Sequence, residues 1–137
     1  MHDGGCYCGA LRYRITEAPR LKAQCHCRAC SHVSGGGANY FMLIPQSGFA
    51  WTRGTPKTYT RPDKANAVTR SFCPDCGTHM TSDRPGLAEK VLKAGTLDDP
   101  EGDYGAPQIA IFCAEKLSFQ PIPEGLPAFD ALPPRGP

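Results

Sequence analysis

Gln24-Cys25-His26-Cys27-Arg28-Ala29-Cys30-Ser31-His32-Val33-Ser34 places three cysteines within one short stretch, which the sequence reads as a loop. Cys27 and Cys30 have the C-x-x-C spacing that lets two sulfurs grip one tetrahedral ion from a single turn, and Cys25 adds a third at i−2. Three thiolates with no obvious fourth ligand nearby are what a zinc ion needs if one coordination position is to stay open. His26, between two ligands, is expected to point away from the ion they share, lying behind the site or at the surface.

Working outward, two further cysteine groups flank this stretch. Cys6 and Cys8 lie in Gly4-Gly5-Cys6-Tyr7-Cys8-Gly9, and residues two apart on an extended backbone face the same way, so both sulfurs can reach one ion. Cys73 and Cys76 lie in Cys73-Pro74-Asp75-Cys76-Gly77, a zinc knuckle in which the glycine lets backbone amides turn toward sulfur. A ribbon made of Cys27, Cys30, Cys73 and Cys76 would strand Cys25 and would need a gap of about forty residues, where ribbons usually have about fifteen to twenty. The better division joins Cys6, Cys8, Cys73 and Cys76 as a closed structural zinc site and leaves Cys25, Cys27 and Cys30 as an open, catalytic one. Four thiolates saturate the ion. Three leave a vacancy on a weak Lewis acid suited to an incoming thiol rather than to making hydroxide.

The segments between the cysteines read as short strands. Leu11, Tyr13 and Ile15 alternate with Arg12, Arg14 and Thr16 at the period of a half-buried strand. Asn39–Ile44, Phe49–Arg53, Lys57–Arg61, Ala67–Phe72 and Ile109–Cys113 are rich in aromatic and β-branched residues, and Leu87–Ala94 is read as a strand although its propensity also suits a helix. Trp51 is expected beside the core, Asp98-Asp99-Pro100 in a turn, and Cys113 as a buried thiol. Ser34-Gly35-Gly36-Gly37 either offers N–H donors to a small group or simply connects two elements. The tail 121–137 carries six prolines and should run extended over the surface, where Leu126 and Phe129 could pin it.

The chain of 137 residues is read as one mainly β domain, 1–137. With eight cysteines and no apolar signal segment before Cys6, a reducing, cytoplasmic setting is expected. No apolar run approaches a membrane span. The formal charge of +2, less seven for thiolates and plus four for two zinc ions, becomes −1, which gives no support for nucleic-acid binding through a basic field.

Gly5-Cys6-Tyr7-Cys8-Gly9, Cys25-His26-Cys27-Arg28-Ala29-Cys30 with Ser34-Gly35, Phe72-Cys73-Pro74-Asp75-Cys76-Gly77, Gly95-Thr96-Leu97-Asp98-Asp99-Pro100 and Gly125-Leu126-Pro127 together resemble the glutathione-dependent formaldehyde-activating enzymes, the group that also contains centromere protein V. The resemblance implies a β-tent (Mss4-like) fold of small antiparallel sheets. It also implies a structural zinc on Cys6, Cys8, Cys73 and Cys76, a catalytic zinc on Cys25, Cys27 and Cys30, and carbon–sulfur lyase chemistry joining glutathione to formaldehyde. Ala110 and Phe119 stand where such proteins often carry histidine and tryptophan.

The residues suggest that a thiol enters the open position, loses its proton and attacks an aldehyde, with Arg28 near enough to hold the thiol's carboxylates. The alternative is a non-enzymatic zinc module with a protein partner. It would need a fourth ligand on the second ion, from His26, His32, His79 or His2. A redox role for the C-x-x-C pairs is a third reading.

Overall fold

The computed structural model describes residues 1–134 and is mainly β, as expected. In chain order the elements are β1 (His2–Gly5), β2 (Arg12–Ile15), β3 (Leu21–Cys25), α1 (Arg28–Ser34), β4 (Asn39–Pro45), β5 (Phe49–Arg53), β6 (Lys57–Thr60), β7 (Thr69–Phe72), β8 (His79–Asp83), β9 (Glu89–Lys93), α2 (Pro100–Asp103) and β10 (Ile109–Ile111). No helix among the described residues is long and apolar enough to cross a membrane. The chain forms two compact units, one of Met1–Leu21 with Met42–Gly105 and one of Lys22–Phe41 with Ala106–Pro137.

In the first unit, β2 lies between β1 and β5 in an antiparallel sheet, with Tyr13 opposite both Gly4 and Trp51 and Ile15 opposite Phe49. The alternation places Leu11, Tyr13 and Ile15 in the core, and turns Arg12 toward Asp98 and Arg14 toward Asp3 at 2.8 Å. Both ion pairs are largely solvated and hold the two carboxyls below their ordinary range. Trp51 packs edge-on against Phe49, with ring centroids 5.0 Å apart, beside the core as expected. Gly4 is obligatory: a Cβ there would overlap the Tyr13 hydroxyl and the Thr96 carbonyl.

Strands β6, β7, β8 and β9 of the same unit pair antiparallel in sequence order. Met80 and Leu92 from this sheet join Leu11, Tyr13, Ile15, Met42, Ile44, Leu97 and Tyr104 in one apolar cluster, which also includes Cys6 and Cys73. Each fully buried side chain of this size contributes about 1.5–3 kcal/mol. A register shift between Ser71 and Phe72 precedes the last β7–β8 pair, Phe72 with His79, after which the chain enters the turn that carries Cys73 and Cys76. Asp99 caps α2 by accepting the Gly102 N–H at 3.0 Å, so Asp98-Asp99-Pro100 is turn chemistry.

In the second unit β3 runs parallel to β10, with Cys25 opposite Ile111. The polypeptide after Pro127 binds the edge of β10: the Ala110 N–H donates to Pro127 O and the Phe129 N–H to Ala110 O, both at 2.9 Å. The proline-rich tail is thus held by backbone pairing, with Leu126 and Phe129 half-buried; residues 135–137 of the expected tail lie outside the described residues. Cys113 starts a 3₁₀ turn after β10 and is only half-buried, unlike the core thiol expected of it.

Candidate metal centres

The four-sulfur set assembles within the first unit from two turns. Leu11 N–H donates to Cys6 Sγ at 3.1 Å and folds residues 6–11 back on themselves, while Gly9 turns the chain at φ 82°. On the other turn the Gly77 N–H closes onto Cys73 O at 2.9 Å with φ 77°, and the Cys76 N–H lies 3.5 Å from Cys73 Sγ. The Tyr7 N–H donates to Thr78 Oγ1 at 3.0 Å and stitches the two turns together. Cys6, Cys8, Cys73 and Cys76 offer four sulfurs all within 4.8 Å of one another.

The spacing suits zinc. A tetrahedron of Zn–S bonds about 2.3 Å long has edges of about 3.8 Å, and Cys6–Cys8 and Cys8–Cys73 measure 3.7 and 3.8 Å. The protonation pattern agrees. Thr78, through its hydroxyl and its N–H, draws Cys76 down to about 5. A hydrogen bond from Ala10 favours the Cys8 thiolate, yet partial desolvation and the three neighbouring sulfurs push that thiol up to about 12. Four clustered thiols cannot all ionise alone, and a dication reverses that penalty.

The three-sulfur set belongs to the second unit. Strand β3 ends at Cys25, the chain turns at His26, and Cys27 becomes the N-cap of α1 by accepting the Cys30 N–H at 3.2 Å. The stretch expected as a loop is therefore the end of a strand joined to a helix. Cys30 Sγ lies 3.6 Å from Cys25 Sγ and 2.8 Å from Cys27 Sγ, and all three sulfurs are within 4.8 Å. The Cys27–Cys30 edge is shorter than the edge of about 3.8 Å of a zinc–sulfur tetrahedron. Contacts with Cys27 and Cys30, reinforced by burial, raise the Cys25 thiol well above its ordinary range, the same signature of sulfurs that need a cation. Among the described residues no other cysteine, histidine or carboxylate joins this group.

The candidate fourth ligands lie elsewhere. His26 is fully buried, and both its ring nitrogens are used: Nε2 faces Gln24 Nε2 at 2.8 Å and Nδ1 faces Gln120 Oε1 at 3.0 Å. His2 pairs with Asp103 at 2.9 Å in the first unit. His79, in that unit too, has both nitrogens buried without a partner, and burial lowers its pKa to about 4, with Lys93 and Arg70 adding to the effect. His32 is exposed and lines a cavity of about 440 Å³ with Arg28, Ser31, Gly36, Leu117 and Phe119. Arg28, Ser31 and His32 share α1 with Cys30, so one wall of this opening and one of the three sulfurs are carried by the same helix.

The glycine run does not supply an oxyanion site through its first two amides. Gly35 and Gly36 donate to His32 O and Ser31 O and close the helix in a left-handed cap. Gln24, Ser31 and Gln120 also belong to this site and are not among the residues expected of it. A histidine between two ligands signals that something must hold it, but a partner 94 positions away leaves no local trace.

A family model described as glutathione-dependent formaldehyde-activating enzyme matches residues 1–115. A curated protein of Halomonas elongata, named "Putative glutathione-dependent formaldehyde-activating enzyme", is 27% identical over 94 residues, covering 65% of this chain and 60% of that protein. The chain thus matches somewhat under two thirds of that relative's length. A crystal structure of a Rhodobacter sphaeroides protein superposes with a TM-score of 0.57 at 19% identity, covering 70% of this chain and 87% of the other, a likeness of fold.

Proposed function

The chain belongs to the glutathione-dependent formaldehyde-activating enzyme family, and from that membership we propose that it is a zinc-dependent carbon–sulfur lyase joining a thiol, glutathione, to formaldehyde at Cys25, Cys27 and Cys30. The observation that carries the reading is the contrast between its two sulfur sets, one of four and one of three. All-sulfur tetrahedral donor sets favour zinc over harder cations. Cys6, Cys8, Cys73 and Cys76 would saturate one ion, which would tie the two turns of the first unit together. Cys25, Cys27 and Cys30 would hold the second zinc ion, whose Lewis acidity would favour the thiolate form of an incoming thiol at neutral pH.

The chain's own residues bind and orient. Arg28 and His32 present donors at the cavity walled by α1, where they would meet the carboxylates of a peptide thiol, and Phe119 and Leu117 supply its apolar wall. The S–C bond forms as the carbonyl π bond breaks, and the proton lost by the thiol ends on the new hydroxyl; the lyase direction reverses each change. Thiolate ligands persist in a reducing compartment, and the proposal therefore includes a cytoplasmic setting.

Exchange between free ¹³C-formaldehyde and its glutathione adduct, followed by NMR, tests the reading. Protein carrying two metal equivalents accelerates this exchange, and Arg28→Ala raises the glutathione KM about tenfold, the worth of one charge-assisted hydrogen bond, while a thiol without carboxylates is unaffected. Exchange no faster than in buffer with free zinc refutes the assignment.

A further inference from the structure

We propose that Gln120, outside the stretch matched by the family model, is the positioning residue of the three-cysteine centre; the inference rests on the metal-binding reading of Cys25, Cys27 and Cys30. Its carboxamide is 96% buried in residue terms, with relative exposure of 4%, and every hydrogen-bonding position on it is occupied. Oε1 accepts from His26 Nδ1 at 3.0 Å and from the Leu117 N–H at 3.2 Å. Nε2 donates to Ser31 Oγ at 2.8 Å and to Gly36 O at 2.7 Å.

The donors and acceptors admit one arrangement. Gln24 Nε2 can only donate, so His26 Nε2 accepts, and the imidazole proton sits on Nδ1, where Gln120 Oε1 receives it. A buried ring gripped from both sides fixes the backbone of His26, and the residues on either side of it are Cys25 and Cys27. The opposite edge of the same carboxamide holds Ser31, next to Cys30, and Gly36, in the cap of α1. One side chain thereby sets all three sulfur-bearing positions and three residues of the cavity wall, Ser31, Gly36 and Leu117, with Gln24 Nε2 reaching Pro121 O at 3.4 Å as a further tie.

Removing the carboxamide leaves the Nδ1–H of His26, the Leu117 N–H and the Gly36 carbonyl without a buried partner. Partners behind metal ligands typically govern affinity by about 10–100-fold. Competition with a chromophoric chelator on the full chain, using Zn²⁺ alone as the probe, is expected to show Gln120→Leu weakening the second equivalent by about 10–100-fold. The first equivalent, held by the four-sulfur set, stays within about twofold of wild type, a separation that general destabilisation would not produce. In parallel, the His26 Nδ1 proton, a slowly exchanging imidazole resonance in wild type, is lost to solvent exchange in the variant.

Should Gln120→Leu fail to fold, Gln120→Glu carries the test. It keeps the acceptor for His26 and Leu117, loses both donations and sets a carboxylate oxygen against the Gly36 carbonyl, for an expected weakening of about tenfold. Unchanged affinity for the second equivalent in the folded variant overturns the positioning role. A wild-type protein that takes up only one equivalent refutes the metal-binding reading itself, and the positioning role falls with it.

Discussion

Cys27→Ser is expected to lower bound zinc from two equivalents to one and to remove catalysed formaldehyde–glutathione exchange, while leaving the fold in place. Serine is a good helix N-cap, so the bond that Cys27 accepts from the Cys30 N–H survives in kind. The sulfur does not survive, and the remaining pair, Cys25 and Cys30, 3.6 Å apart, supplies two ligands where three are needed. A Lewis acid contributes several kcal/mol to such a reaction, so the rate should fall about a thousandfold or more. Atomic emission counts the metal, NMR exchange reads the rate, and circular dichroism checks the fold. Full exchange activity in a protein with one zinc would remove Cys27 from the mechanism.

Cys73→Ser is expected to do the reverse and to destroy the first unit. Cys73 is fully buried, packs in the apolar cluster and lies 3.8 Å from Cys8 Sγ, joining two turns 65 residues apart in sequence. Structural zinc is worth about 10–16 kcal/mol in small peptide sites, which matches or exceeds the whole stability of an ordinary domain, about 5–15 kcal/mol. The single Trp51 reports the outcome, since its packing against Phe49 and Tyr13 gives it a half-buried, asymmetric environment that unfolding abolishes. Native Trp51 fluorescence and near-ultraviolet dichroism in Cys73→Ser would show that the four-sulfur set is dispensable. The two serine variants thus separate the set proposed to hold the fold from the set proposed to do the chemistry.

The cysteine groups were legible because ligand spacing is local: two or three residues on an extended strand or a tight turn decide which sulfurs can meet, and the tetrahedral count leaves few ways to divide seven. Strand β2 was legible for the same reason, since Leu11, Tyr13 and Ile15 carry a period-two signal. Strands β1 and β8 were not. His-Asp-Gly-Gly has no apolar alternation, and His-Met-Thr-Ser-Asp has a single apolar residue, so both are strands because their neighbours pair with them. Helix α1 is seven residues long, too short to display a periodicity, and its start is set by a cysteine rather than by a usual capping residue. The network around Gln120 joins positions 24, 26, 31, 36 and 120, and only folding reveals it.

The central claim is that the three-cysteine set holds an ion with a position open to a thiol. Its most direct test is the visible spectrum of the protein with Co²⁺ in the second site, recorded as glutathione is added. A saturable rise in sulfur-to-cobalt charge transfer, present in wild type and absent in Cys27→Ser, is the predicted result. A spectrum indifferent to glutathione, in protein shown to hold cobalt at Cys25, Cys27 and Cys30, would mean that the site is closed and would contradict the account in favour of a zinc module whose surface serves a protein partner.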